Sequence, residues 1–394
     1  MFIVRLALVL LSILFLPVVY ADRRLSAVVG CRFGGWRVAM WLVAALLAIG
    51  LVCFLLMWRE GCVPLGLRRV FLCVYLGASG AGIFFCIGDV LHRCFRKFGL
   101  VARLLHGLCI SLAVANIILV VMAYFIGNKR IDVAEYTYYS KDLPASFDGL
   151  RIVAVSDLHL GTYGSDSTRV AQLIDKTIEQ KGDMIVFVGD LVNFESKEIV
   201  PFVDELSRLK APLGVFSVLG NHDYGVYRNF KSKREQVADI ARLVELERLC
   251  GWHVLRNQNV VLERGGDKIA LIGVENDGKP PFPQLADIPK AMRGLPLDDG
   301  GKPLFKVMLT HDPCHWRRKV LSDTDVQLTL SGHTHGMQFK VFGLSPAALI
   351  YKEWGGQYFE GERSLIVSLG LGLGAVPFRF GAWSEVCVIT LRKK

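Results

Sequence analysis

Apolar positions are arranged in two different ways along this chain. The first third holds four long apolar runs, at about residues 2–20, 39–57, 70–91 and 104–127. Each approaches the roughly 20 residues that a helix needs to cross a bilayer core. Basic residues mark the gaps: Arg23, Arg24, Arg32 and Arg37, then Arg59, Arg68 and Arg69, then Arg93, Arg96, Lys97 and Arg103. Such flanks are typical of membrane spans. The pattern predicts a transmembrane region over residues 1–130 with about four helices. Asp89 and His92 fall at the end of the third run, where an acid can reach the headgroups. Arg5, the first apolar run and Val19-Tyr20-Ala21 also resemble a signal peptide. Arg23 and Arg24 directly after that point favour keeping the run. Counting basic residues over four retained spans then puts the C-terminal part outside the cytoplasm.

Beyond about residue 132 the apolar runs shorten to strand length and alternate with helix-like stretches. Strands are predicted at Ile152–Val155, Met184–Val188, Val215–Leu219, Val254–Leu255, Val260–Glu263 and Ile269–Val274. More follow at Phe305–Leu309, Val326–Leu330, Leu365–Leu369 and Val386–Leu391. Helices are predicted near Ser167–Lys181, Lys197–Leu209 and Lys233–Cys250. This order argues for an α/β domain with a mixed sheet system. Residues 131–147 read as a linker and 148–394 as the domain.

Composition narrows the function. Hydrophobic residues make up 52% of the 394 residues, which excludes a disordered chain. The net charge of +10 suggests nucleic-acid binding only until it is localised. Residues 1–130 hold 14 basic and 3 acidic residues, whereas 131–394 hold 32 and 33. The surplus therefore belongs to the membrane flanks, and no nucleic-acid partner is expected. The ten cysteines lack CxxC spacing after residue 130 and read as mostly buried free thiols.

Five polar clusters each follow a predicted strand: Asp157-Leu158-His159, Gly189-Asp190, Gly220-Asn221-His222-Asp223, Thr310-His311 and Gly332-His333-Thr334-His335. Ligand sites in α/β folds gather beyond the carboxyl ends of strands, so these loops can converge. Asp157 and His159 are two apart and would share a side of an extended segment, as would His333 and His335. Imidazole with carboxylate suits Zn²⁺, Mn²⁺ or Fe²⁺. Five of the nine histidines fall in these clusters, far more than isolated core histidines would explain. Asp223 reads either as an orienter of His222 or as a turn residue, and Asn193 as a helix cap. Arg379 reads with equal weight as a substrate contact or a structural residue. His253 reads as a core or sheet-edge residue. His315, Arg317 and Arg318 read as a solvated helix face or, alternatively, as contacts to a substrate phosphate. The apolar stretch Met337–Tyr351 is either a buried hairpin or a surface that rests on lipid, and residues 276–303 could form a lid.

The order D-x-H, G-D, G-N-H-D, H and G-H-T-H resembles the signature of the calcineurin-like metallophosphoesterases. The wording DLHLG, GNHDYG, SGHTHGMQ and GLGLGAVPFRFGAWSE is most similar to the YkuE/YaeI-like bacterial branch, many of whose members carry N-terminal membrane anchors. The resemblance implies a four-layer α/β/β/α sandwich with two packed mixed sheets. It implies two divalent ions (Mn²⁺, Zn²⁺ or Fe²⁺), one on Asp157, His159, Asp190 and His335, the other on Asp190, Asn221, His311 and His333. Asp190 would bridge them, and His222 would face the scissile phosphate as proton donor or charge stabiliser. Two ions neutralise an anionic phosphoester and activate a water, and a nearby imidazole can protonate the leaving oxygen.

The expectation is a bacterial multi-pass inner-membrane protein that hydrolyses a phosphodiester or pyrophosphate. By analogy with related anchored enzymes, a lipid-linked nucleotide such as UDP-diacylglucosamine is a candidate. The alternatives are a phosphodiesterase or phosphatase for small soluble esters, and a non-catalytic metal-binding receptor.

Overall fold

The computed structural model describes residues 2–29, 34–57, 65–127, 129–298, 300–374 and 378–394. Arg32, Arg59, Cys31 and Cys62 lie outside these residues, as do Ala375, Val376 and Pro377. The side chains of Arg5, Arg68 and Arg69 are likewise outside the description. The chain divides into two units, Met1–Gly127 and Asn128–Lys394.

The first unit is helical: α1 (Phe2–Val29), α2 (Gly35–Met57), α3 (Leu65–Cys94) and α4 (Gly99–Met122). Among the described residues three stretches are long and apolar enough to cross a membrane: Gly35–Leu55, Val70–Cys94 and Arg96–Gly127. The first apolar run lies within α1. A small buried cluster of Leu14, Leu47, Leu51 and Tyr75 joins α1, α2 and α3. Asp89 is paired within the unit, accepting from Tyr20 Oη at 2.6 Å and Arg24 Nε at 2.7 Å. Asp22 similarly accepts from Arg37 Nε at 2.6 Å. Pairing offsets the cost of placing both acids beside apolar surface.

Among the described residues the second unit contains twelve strands in two six-stranded sheets. The first sheet has the order β1-β12-β2-β3-β4-β5. Its strands are β1 (Ile131–Ser140), β2 (Arg151–Val155), β3 (Met184–Val188), β4 (Val215–Val218), β5 (His253–Val254) and β12 (Ser384–Lys393). The second has the order β10-β11-β9-β8-β7-β6. It comprises β6 (Gln258–Arg264), β7 (Asp267–Gly273), β8 (Phe305–Leu309), β9 (Leu328–Ser331), β10 (Gly356–Glu360) and β11 (Arg363–Val367). β2, β3 and β4 run parallel, as do β7, β8, β9 and β11.

Alternating side chains of the same strands build the layers. On β2, Val153 and Val155 pack outward against the helices, while Ile152 and Ala154 face the second sheet. On β8, Phe305, Val307 and Leu309 fill the space between the sheets, and Met308 faces the other way, beneath Trp316 and Val320. Helices α5 (Ser167–Ile178), α6 (Val203–Leu206) and α7 (Lys233–Leu249) cover the first sheet through Val170, Leu173, Leu206 and Leu243. Helix α8 (Ile288–Ala291) and the turn at Trp316–Val320 cover the second. The expected α/β/β/α sandwich results. Central strands such as MIVFV are buried along their whole length, as expected for parallel strands covered on both faces. Ser232 caps α7, accepting from Glu235 N at 3.2 Å.

Two elements differ from the sequence reading. Residues 131–140 are not linker but strand β1, paired parallel with β12 over ten residues. Its alternation is hidden by exposed Glu135 and Thr137 on one side. β10 also escapes, because Gly356, Gln357 and Glu360 leave it no apolar pattern, although all five of its residues pair with β11. The eight described cysteines are free, as expected, but only Cys109, Cys250 and Cys387 are buried.

Candidate metal centre

The loops that follow β2, β3, β4, β8 and β9 meet at one end of the two sheets. They bring together three groups of side chains, each group with ligand atoms within 4.8 Å of one another. These are Asp157, His159 and His335; His159, Asp190 and His222; and Asp190, His311 and His333. The seven carboxylate and imidazole residues to which the family resemblance assigns a role are all among them, whereas Asp223 is not.

The convergence does not arise as expected for an extended segment. Asp157 and His159 both adopt left-handed backbone, with φ of 55° and 50°. Asp190 (58°), His333 (76°) and His335 (51°) do the same. Such φ values are costly for non-glycine residues and persist where surrounding structure enforces them, commonly at functional sites. Two glycines show how tight the enclosure is. A Cβ on Gly220 would lie 2.2 Å from Asp190 Oδ1, and one on Gly332 would lie 2.5 Å from Asp157 Oδ2.

His159 Nε2 lies 3.1 Å from His335 Nε2 and 3.9 Å from Asp190 Oδ2, while His335 Nε2 lies 3.3 Å from Asp157 Oδ1. On the other side, His311 Nε2 lies 3.1 Å from Asp190 Oδ2 and 4.0 Å from Asp157 Oδ1. Asp190 thus stands between the two groups. The other nitrogens are held from behind. His311 Nδ1 donates to Val188 O at 2.7 Å, which leaves Nε2 free to bind a cation. His333 Nε2 is engaged by Tyr351 Oη at 2.9 Å, leaving Nδ1. Asn221 Nδ2 donates to Tyr227 Oη at 3.0 Å, so Asn221 Oδ1 is the amide atom left over.

That oxygen is buried without a hydrogen-bond partner, as is His159 Nδ1. Buried polar atoms are rarely left unpaired, and here they belong to residues whose chemistry suits a divalent ion. The donor set fits a metal centre on this ground. These buried groups also act strongly on one another. Burial pushes His159 down to about 3 and Asp157 up to about 6. Burial also opposes charge on His311, but the Asp190 carboxylate overrides it and raises His311 to about 10. Asp190 is held well below its ordinary value despite burial, because His311 and His222 face it.

His222 is directed by the backbone. Its Nδ1 donates to Asn193 O at 2.8 Å, and its ring packs on Tyr227 with centroids 4.2 Å apart. Asp223 does not orient it. The Asp223 carboxylate instead accepts from Asp190 N (2.8 Å), Leu191 N (2.9 Å), Val192 N (3.1 Å) and Gly220 N (2.8 Å). Asn193 caps no helix; its amide N donates to Glu198 at 2.6 Å.

Arg379 is fully buried. It donates to the carbonyls of Leu369, Gly370, Gly372, Ala382 and Trp383, and Nη2 lies 3.1 Å from His335 Nδ1. It therefore holds the 369–374 loop against the site. His253 lies on the short strand β5, stacked on Phe216. His315 is buried and bonded to Thr310 Oγ1 at 2.9 Å, so it is no solvated helix residue. Arg317 pairs with Glu353 and Glu360, and Arg318 with Asp277. Residues 276–303 reach the site through Phe282, whose ring meets His333 edge-on at 5.0 Å. Tyr227, Tyr351 and Phe282 were not foreseen, because a lone aromatic residue carries no spacing signal.

Comparison with known proteins adds the family. The calcineurin-like phosphoesterase profile matches residues 150–337. The metallophosphoesterase YkuE of Bacillus subtilis is 31% identical over 290 residues, covering 68% of this chain and 88% of that protein. A metallophosphoesterase of Aquifex aeolicus is 28% identical over 266 residues, covering 66% of this chain and 92% of the other. A transmembrane protein with metallophosphoesterase domain from Danio rerio is 29% identical over 260 residues, 64% of this chain but only 55% of that longer protein. The chain accordingly belongs to the calcineurin-like phosphoesterase family, a family of phosphoester hydrolases, and combines that domain with helices apolar enough to cross a membrane.

Proposed function

We propose that this protein hydrolyses a phosphodiester or pyrophosphate bond in a membrane-associated substrate, using two divalent ions. Asp157, His159, Asp190 and His335 would hold one ion, and Asp190, Asn221, His311 and His333 the other. The observation that carries the reading is the buried, unpartnered Asn221 Oδ1, one residue before His222, whose backbone N–H donates to Asp190 Oδ1 at 2.8 Å. An amide oxygen left bare in a buried site awaits a cation.

Ions bound there would neutralise the phosphoester and activate a water for in-line attack. The residues of the chain supply the remainder. Asp190 sets the spacing between the two groups of ligands. Val188 O and Tyr351 Oη fix which nitrogens of His311 and His333 point inward. The His222 Nδ1–Asn193 O bond leaves Nε2 as the nitrogen that can give a proton to the leaving oxygen. Tyr227 covers the His222 ring and limits water access from that side. A bacterial inner membrane is the proposed location, with the apolar helices as anchor.

The test compares three substrates on the full-length chain in lipid nanodiscs: a soluble chromogenic diester, its monoester, and UDP-diacylglucosamine placed in the same bilayer. Preferential turnover of the bilayer-held compound supports the reading. Turnover of soluble esters alone moves the assignment to a small-ester phosphodiesterase.

A further inference from the structure

We propose that the hairpin and short helical turn at residues 339–350 form a surface that docks on a lipid bilayer. The segment leaves the site directly after His335 and carries large apolar side chains turned to solvent. Phe342 is 100% exposed, Leu349 89%, Leu344 76% and Ile350 57%. Elsewhere in the second unit such residues are scattered along the chain, as at Val200, Val237 and Leu297. Single exposed apolar residues are ordinary, whereas a group of them marks a contact surface.

The group is mounted firmly. Val341 and Leu344 exchange two backbone hydrogen bonds of 2.9 Å, closing a turn with Phe342 at φ 49° and Gly343 at φ 79°. Lys340 N donates to Phe380 O at 2.7 Å, and Ser345 Oγ to Gly336 O at 2.6 Å. Ala347 is buried at the base of the turn Pro346–Leu349. The exposed side chains therefore project from an ordered platform.

A bilayer fits this surface better than a second copy of the chain. Between Gly336 and Lys352 the only charges are Lys340 and Lys352, with no acid. Apolar tips flanked by lysines suit the boundary between acyl chains and anionic headgroups. The same chain carries three stretches able to cross a membrane, and its second unit begins at Asn128, directly after the last. A bilayer is thus always within reach of the tether. The platform ends at Tyr351, whose hydroxyl engages His333 Nε2, so a docked hairpin would hold the candidate metal centre near headgroup level. That consequence rests on the proposed membrane-associated substrate; the docking itself does not.

Phe342→Trp and Leu349→Trp chains in nanodiscs, with and without lipids brominated along the acyl chain, test the proposal. The emission added over wild type should lose most of its intensity to the bromolipid at both positions. Phe359→Trp, which places an exposed indole on β10, should keep its intensity. Added emission that the bromolipid spares and aqueous acrylamide quenches would overturn the proposal. So would protection from both quenchers, which would mean that protein covers the surface. Neither readout involves turnover, so failure here leaves the hydrolase reading intact.

Discussion

The backbone carbonyl of Asn193 accepts a 2.8 Å hydrogen bond from His222 Nδ1 and so sets the direction of the His222 imidazole. The adjacent Asp223 carboxylate is occupied with four backbone amides instead. His222→Ala should therefore lower kcat by about 10²–10⁴ through loss of the proton donor, with bound metal per chain unchanged. Metal analysis alongside kinetics checks this. A matching loss of metal would place His222 among the ligands, since its ligand atom shares a group with His159 and Asp190.

Asp223→Ala should damage the fold of the site. It would leave the amides of Asp190, Leu191, Val192 and Gly220 without their shared acceptor. Unsatisfied buried donors cost about 1–3 kcal/mol each, so a loss of at least about 3 kcal/mol is expected. Denaturation of the variant followed by near-UV circular dichroism measures it. Asp223→Glu should not restore the loss, because one more methylene displaces the carboxylate from four donors at once.

Arg379 uses the planar fork of its guanidinium to reach five carbonyls. An ammonium has only three donors and cannot reproduce that pattern. Arg379→Lys should lower the thermal midpoint markedly and weaken metal affinity, because the 369–374 loop packed against His335 would loosen. Isothermal titration with Mn²⁺ reads the second effect. Retention of wild-type affinity would mean that the loop holds His335 without this residue.

Glu247 lies buried behind β4, accepting from Ser217 Oγ. Burial first, and then the Asp223 charge, push it up to about 8 from an ordinary 4.5. The folded state thus binds a proton that the unfolded state releases between about pH 4.5 and 8. This contribution to stability is fully present below about pH 4.5 and is lost as pH rises through about 8. Glu247→Gln should remove that slope. Its unfolding midpoint, compared with wild type, should rise from pH 5 to about pH 8 and then level off. A constant difference across that range would contradict a neutral Glu247.

Much of this was legible in the chain, for physical reasons that particular residues make plain. Met184–Val188 and Phe305–Leu309 are buried apolar strands with sharp polar ends, and both boundaries were read to the residue. The polar clusters could be recognised because His, Asp and Asn recur directly after such strands. Edge strands were harder. β1 has solvent on one side and tyrosines along its length, so only its pairing with β12 defines it. Roles that depend on reach across the fold were not visible. Nothing near Arg379 announces five carbonyls, and the turn from Gly332 to His335 meets Asp157 through left-handed backbone rather than by alternation.

The most direct test of the central claim is metal content measured together with turnover on one sample. Full-length protein, stripped and reloaded with Mn²⁺, should bind two ions per chain and cleave a phosphodiester. Asn221→Ala should retain the ion on the Asp157–His159–His335 side, lose the other, and lose activity. A chain that hydrolyses the diester after complete removal of metal would contradict the account, as would an Asn221→Ala chain with both ions and full activity.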